Sequence, residues 1–291
     1  MGGLVMLVYL STWSTHTILG TWVARGLPRE RSTFMMYATA AVLGILLAIV
    51  SRSVIFEVQF LMVSFIGGYQ VYVGYAELHA LRYSLTLTSV VLPLRFVLTA
   101  LLAALLPWAG REAELYRDPW MAAGVILLFL ATFIFRKGER QKGASSVKEE
   151  SRDRRTFTQW LIAVSVMIFL AGTAGFGMKY AASEMEMPRL VFPSYWYPAA
   201  AIFIAPVLLL NRKQNFTDVP LTKRDLAAPI RGATALSQIF FEFMTYQFLS
   251  LAVAAPSLAF GTTIIPVVVG LIGFKEPKKI GPITIGRLGF V

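Results

Sequence analysis

The 291-residue chain contains no cysteine, and it has only two histidines. Without cysteine it can form neither a disulfide framework nor a thiolate-ligated metal site. The histidines, His16 and His79, belong to no metal-binding spacing such as HExxH, and no GxSxG elbow occurs. We therefore predict no metal site, no bound cofactor and no hydrolase of these motif classes.

Charged residues are also scarce. They make up 15% of the chain, against about 25% in soluble domains, while hydrophobic residues make up 56%, against about 45–50%. This composition excludes an ordinary soluble domain, and the high hydrophobicity excludes disorder.

Long apolar runs take the place of the missing charges. About 20 apolar helical residues cross a bilayer core, and ten candidate segments of roughly this kind occur: 3–24, 32–50, 54–78, 83–107, 119–135, 157–178, 191–210, 228–252, 257–273 and 280–291. The last is too short to span alone, so it is either a half-span or a truncated helix. The runs predict an all-α polytopic membrane protein with about ten transmembrane helices.

The longest polar stretch, 136–156, carries mixed charge and has five candidate helices on each side. It divides the chain into a first unit at 1–135, a charged linker at 136–156 and a second unit at 157–291.

The formal net charge of +11 follows the predicted loops. Of 27 basic residues, 19 fall in the loops after odd-numbered segments and 5 in the other loops. Lys and Arg concentrate in cytoplasmic loops, so the richer side is predicted to be cytoplasmic and both termini outside. The charge thus indicates topology, with no need for a nucleic-acid partner.

The two units share a short similarity. Residues 81–93 align without gaps with residues 254–266, and the alignment matches Ser84 with Ser257, Leu85 with Leu258 and Pro93 with Pro266. An odd number of helices per unit inverts the second copy relative to the first. Inverted repeats are typical of secondary transporters that bind solute near the midplane.

These residues resemble the EamA-like branch of the drug/metabolite transporter superfamily. The similar runs are 76–106, 118–135 and 248–286. The second unit matches the family pattern with Pro266, Glu276 and Gly286, whereas Glu112 lies 19 residues after Pro93 in the first unit, against 10 residues between Pro266 and Glu276. In the first segment Trp13-Ser14 stands where the family has Trp-Gly.

The resemblance implies two inverted five-helix repeats, location in the cytoplasmic membrane, and export or exchange of a small organic metabolite or amphipathic compound by alternating access. It also implies cytoplasmic termini, which conflicts with the charge count. A missed or missing helix would reverse the count, so both topologies stay open.

Polar side chains within the apolar runs predict the site, because ionisable groups at membrane depth usually face a cavity or a partner. Tyr9, Trp13 and His16 share one helix face, as do Gln238, Glu242 and Tyr246 on another helix. The candidate substrate-binding residues are Trp13, His16, Gln70, Tyr72, Arg95, Gln238, Glu242 and Tyr246. Structural hydrogen bonding or helix packing is the alternative for each.

Arg95 and Glu242 are predicted to pair. The pair is either structural or functional: Arg95 would bind an anionic group, or Glu242 would exchange a coupling proton. Pro93 and Pro266 each free one backbone carbonyl, which predicts either gating kinks or plain packing kinks. A cavity lined by segments 1, 3, 4, 6, 8 and 9 is expected, and a counter-solute is the alternative to the proton. An intramembrane enzyme acting on a lipid-linked substrate is the alternative function, and a membrane receptor or scaffold is a third class.

Overall fold

A computed structural model describes residues 2–105, 147–210, 222–275, 279–280 and 283–284. The predicted span 119–135 and residues 136–146 of the predicted linker lie outside these residues. The described helices are α1 Gly2–Ala24, α2 Arg29–Val50, α3 Leu61–Tyr83, α4 Leu85–Val91, α5 Leu94–Leu105, α6 Val147–Ser183, α7 Phe192–Leu210, α8 Ala227–Phe248 and α9 Leu251–Ile272. Short 3₁₀ turns at Val58–Phe60 and Lys223–Leu226 precede α3 and α8.

Five of the described helical stretches are long and apolar enough to cross a membrane: Arg29–Val50, Leu85–Ala103, Thr156–Ser183, Phe192–Leu210 and Val253–Ile272. Helices α1, α3 and α8 have similar lengths but carry the polar side chains singled out above. Large apolar side chains such as Phe65, Ile202 and Phe260 point outward and are more than half exposed. Such an apolar exterior is typical of a surface that contacts lipid or a partner.

The helices run between two ends of the bundle, here called face I and face II. Face I is where α1 and α3 end, because Gly20 on α1 lies against Leu81 on α3 and Arg231 on α8. Face II is where α6 and α8 end, because Lys179 Nζ donates to the carbonyl of Tyr246 at 2.9 Å and to that of Leu249 at 3.3 Å. Helices α5 and α6 both end at face II, although they are consecutive in the described chain.

Helix packing follows a two-fold pattern between residues 2–105 and residues 147–275, here called the first and second halves. Helix α1 packs along α8, and α6 packs along α3 in the corresponding way. Helices α2 and α7 contact each other, while α3 packs on α7 and α8 packs on α2. Exchanging α1 with α6, α2 with α7, α3 with α8 and α4–α5 with α9 preserves this set of neighbours.

Several predicted segments differ from the structure. The sixth helix begins at Val147, ten residues before its predicted start at 157 and within the predicted linker. The third helix begins at Leu61, because the hydroxyl of Tyr195 bonds the backbone at Ile55 and Glu57 and holds that stretch outside a helix. The ninth begins at Leu251, six residues before Ser257, so the offset that aligns Pro93 with Pro266 does not align the helix starts. A tenth helix at 280–291 is not formed where the chain is described, since Lys279–Ile280 pairs antiparallel with Ile283–Thr284.

The small-residue run 171–177 provides close helix packing, as expected for such runs between apolar helices. A Cβ at Gly172 would lie 2.8 Å from Leu98, and one at Gly175 would lie 2.6 Å from Thr99 Oγ1. The Thr99 hydroxyl donates to the Gly172 carbonyl at 2.9 Å. The missing side chains therefore bring α6 directly against α5.

Candidate functional site

A cavity of about 70 Å³ lies in the interior of the bundle. Its walls come from α1, α2, α3, α5, α6, α7 and α8, together with Leu92 between α4 and α5. Aromatic rings of Trp13, Tyr37, Trp196 and Tyr197 and the amides of Gln70 and Gln238 line it. A cavity of this size has room for a few water molecules, whereas pockets for drug-sized ligands are about 300–1,000 Å³.

A first charged cluster lies between the cavity and face I. Arg231 Nη2 on α8 donates to Glu77 Oε2 on α3, and both side chains are buried. His16 Nε2 on α1 lies 3.6 Å from the same carboxylate oxygen. The His16 Nδ1 atom lies 3.3 Å from the carbonyl oxygen of Arg231. Three helices are thereby joined through one carboxylate.

A second charged cluster lies between the cavity and face II. Arg95 Nη2 on α5 lies 3.6 Å from Glu242 Oε1 on α8, so the predicted pair is confirmed. The same nitrogen donates to the hydroxyl of Tyr9 at 2.8 Å, and the hydroxyl of Tyr246 donates to Glu242 at 3.3 Å. The Arg95 guanidinium also stacks over the ring of Trp13, 4.2 Å from its centroid, an arrangement that stabilises a buried cation.

The clusters share two features. In each, the arginine and the glutamate come from different halves of the chain: Glu77 pairs with Arg231, and Arg95 pairs with Glu242. Each glutamate also lies six residues before the last residue of its helix, Tyr83 for α3 and Phe248 for α8. The two carboxylates therefore occupy corresponding positions near opposite faces.

Most of the predicted site residues are brought together. The predicted residues Trp13, His16, Gln70, Arg95 and Gln238 line the cavity. Glu242 and Tyr246 do not line it, but they are buried behind Arg95 and hold it.

Tyr72 is the exception, since its side chain is 45% exposed and does not line the cavity. On a helix, residues two positions apart in sequence point in directions about 200° apart. Tyr72 therefore points away from the side that carries Gln70.

The two prolines differ, contrary to the symmetric arrangement that the sequence predicts. Pro93 separates α4 from α5, where Phe96 N donates to the Pro93 carbonyl at 3.0 Å in a tightened turn. Pro266 lies inside the unbroken helix α9. Neither proline lines the cavity, and neither does any residue of α9, which the sequence places in the wall. Helices α2 and α7 contribute to the wall instead.

Arg231 is a functional candidate that the polar pattern described above does not predict. It is 1% exposed and more deeply buried than Arg95. Its position near the start of α8 suggests a headgroup-level residue, which explains the omission. However, Arg231, Gln238 and Glu242 follow i, i+7 and i+11 spacing and share one face of α8, and this signal could have identified it.

Tyr37 and Tyr197 are also missed, because their helices are otherwise apolar and α7 carries the aromatic cluster predicted for the membrane interface. Both are buried, and the Tyr37 hydroxyl donates to the Gln70 carbonyl at 2.8 Å. In the described part of the chain, no group of three His, Asp or Glu residues is arranged to hold a metal ion.

Comparison with known proteins identifies a fold but no function. No family model matches the sequence, and no curated protein is significantly similar to it. Among solved structures, a chain described only as "Crystal structure of protein" is similar with a TM-score of 0.62 and 17% sequence identity, covering 95% of this chain and 90% of that chain. At this identity the likeness concerns the fold alone.

Proposed function

We propose that this protein is a secondary transporter that moves a small organic solute across the cytoplasmic membrane by alternating access, as an exporter or an exchanger. The observation that carries the proposal is that two buried ion pairs, one toward each face of a central cavity, both join the first half to the second. Ionisable residues at membrane depth mark solute or ion pathways by default.

The cavity supports this proposal through its size and its lining. Its volume of about 70 Å³ is far below that of a typical ligand pocket, so a metabolite would enter only after the halves move apart. Movement of one half against the other would separate Glu77 from Arg231 or Arg95 from Glu242. Ion pairs placed in this way would hold the cavity closed until a solute enters it.

The helix pairing supports a ten-span architecture made of two inverted repeats. The two-fold exchange of neighbours is what two copies of one unit would give. Because α5 and α6 both end at face II, this architecture needs one further crossing of the chain between them. The predicted span 119–135 would supply that crossing, although it lies outside the described residues. The resemblance to EamA-like permeases agrees with this arrangement.

Face I is proposed to be cytoplasmic. Among the described residues, it carries Arg25, Arg29, Arg31, Arg82, Arg224 and Lys275, whereas face II carries Arg52, Lys179 and Arg189. Basic residues accumulate on the cytoplasmic side. With this orientation α1 would begin outside the cell.

Glu242 is proposed as the group that couples a proton to transport, with a counter-solute as the alternative. The purified protein would be reconstituted in liposomes, and exchange of labelled metabolite classes would be measured at several pH values. The Glu242→Gln variant should lose the pH dependence of transport, and the Tyr72→Phe variant on the exposed face should keep it. Unchanged transport and pH dependence in Glu242→Gln would contradict proton coupling. The absence of any exchange across a broad panel would contradict the transporter.

A further inference from the structure

We infer that the solute taken by the central cavity is a small zwitterion, with its anionic group on Arg95 and its cationic group on Glu77. This inference rests on the proposed function, because it names the class of solute that the same cavity carries. Two buried atoms, one in each charged cluster, have no hydrogen-bond partner among the described residues.

The first atom is a hydrogen-bond donor on Arg95, a residue that lines the cavity. Arg95 is 8% exposed, and its Nη2 atom serves both Tyr9 and Glu242. Its Nε atom is buried and has no hydrogen-bond partner among the described residues. An N–H of a guanidinium donates best to a charged oxygen, in a short charge-assisted bond. A carboxylate or similar anionic group is therefore the best hydrogen-bond acceptor for the Nε–H of Arg95.

The second atom is a hydrogen-bond acceptor on Glu77, which also lines the cavity. Glu77 is 6% exposed, and its Oε2 atom takes both Arg231 and His16. Its Oε1 atom is buried and likewise has no partner in the described part of the chain. An ionised carboxylate only accepts hydrogen bonds. An ammonium or another N–H cation is therefore the best hydrogen-bond donor for the Oε1 atom of Glu77.

The charge balance of the site selects a zwitterion over singly charged solutes. While Glu77 and Glu242 are both ionised, each cluster pairs one arginine with one carboxylate, so the pairs bring no net charge to the buried site. A solute with a single charge would add an uncompensated charge to a low-dielectric interior, which is costly. A zwitterion adds no net charge, and it supplies hydrogen-bond partners for both Arg95 Nε and Glu77 Oε1. The rings of Trp13, Tyr37 and Trp196 would contact its hydrocarbon part.

The test uses five solutes built on one six-carbon chain. The isomers 2-aminohexanoate and 6-aminohexanoate carry both charges at short and long separation. Hexanoate carries only the anion, hexylamine carries only the cation, and hexanamide is neutral. The melting temperature of the purified full chain in detergent would be measured against the concentration of each, since a ligand of the folded state stabilises it by mass action.

At least one zwitterionic isomer should raise the melting temperature, and the three other solutes should not raise it at equal concentration. Equal stabilisation by hexanoate, hexylamine or hexanamide would overturn the inference, and so would the absence of an effect from both isomers. This comparison needs only the unmodified protein, so it holds even where a variant fails to fold.

Two conservative variants then locate the contacts. Arg95→Lys keeps a cation opposite Glu242 but has no Nε–H, and Glu77→Asp keeps the carboxylate but withdraws it by one methylene. Each should weaken the apparent affinity for the zwitterion by about ten-fold or more, the loss expected for one charged hydrogen bond. Tyr72→Phe, on the exposed face, should leave it unchanged. An unaltered affinity in both cavity variants would place the zwitterion elsewhere and refute the assignment.

Exchange of the same five solutes in liposomes separates this inference from the proposed function. Exchange of a singly charged or neutral solute, without binding of either isomer, would overturn the inference and leave the transporter in place. Binding of an isomer that depends on Arg95 and Glu77, without exchange under any gradient, would support the inference and contradict transport.

Discussion

Removing one partner of the Glu77–Arg231 pair should be among the most damaging single changes in this protein. Arg231 is 1% exposed and Glu77 is 6% exposed, so bulk solvent does not compensate for the loss of either partner. In Arg231→Gln the carboxylate of Glu77 would keep only His16, at 3.6 Å. Leaving a buried charge without its partner costs about 3–5 kcal/mol, and we expect a loss of stability in that range.

The paired change has a different expected outcome. Replacing a whole buried ion pair with well-packed apolar residues of similar volume is often neutral or stabilising, because the desolvation of both charges is avoided. A pair of neutral glutamines avoids the same desolvation. The double variant Glu77→Gln/Arg231→Gln should therefore lose much less stability than the sum of the two single variants. The coupling free energy should be about 2–3 kcal/mol, within the range that contacting residues show.

The free energy of unfolding would be measured for the four proteins by titration of detergent micelles with SDS, with helix content as the signal. Arg82→Gln is the matched control, since Arg82 is exposed at the end of α3, and exposed substitutions usually change stability by less than about 0.5 kcal/mol. A loss below about 1 kcal/mol in Arg231→Gln, or strict additivity in the double variant, would refute the reasoning.

Two further pairs of variants test helix packing and capping in the same assay. Gly67→Ala should cost about 3 kcal/mol, the upper end for overpacking, because the new Cβ would lie 2.8 Å from the Cα and carbonyl carbon of Trp196 and closer still to its carbonyl oxygen. Gly3→Ala, with open space around it, should be neutral. Equal stability of the two alanine variants would contradict this packing. Ser84→Ala should cost about 1 kcal/mol by removing the side-chain cap of α4, whereas Ser250→Ala should be neutral because its side chain makes no cap bond. A larger loss at Ser250 than at Ser84 would argue against the capping geometry.

The inward faces of α1 and α8 could be predicted from the sequence because the physical reason for them is local. A polar stripe in an apolar helix must avoid lipid, so Tyr9, Trp13 and His16 turn inward together. The Arg95–Glu242 pair was predictable for a similar reason, since a central arginine needs a carboxylate at the same depth.

The partner of Glu77 could not be predicted from its own helix. Glu77 and Arg231 are joined because α3 ends at the face where α8 begins, and that relation is set by the packing of whole helices. The contribution of Tyr37 and Tyr197 to the cavity wall has the same origin. The start of α3 was missed because a tertiary hydrogen bond from Tyr195 competes with a helix at 55–57.

The corresponding positions of Glu77 and Glu242 connect the architecture to the proposed cycle. Each lies six residues before the end of its helix, which is about 9 Å at 1.5 Å per residue, but the two helices end at opposite faces. The two-fold exchange of helices carries one carboxylate onto the other, whereas their cations come from different positions, Arg231 on α8 and Arg95 on α5. Opening toward face I would strain the Glu77 cluster first, and opening toward face II would strain the Glu242 cluster first. Each opening would thus break one ion pair and keep the other. In the proposed transporter, the free-energy cost of breaking a buried pair would therefore arise at only one face at a time.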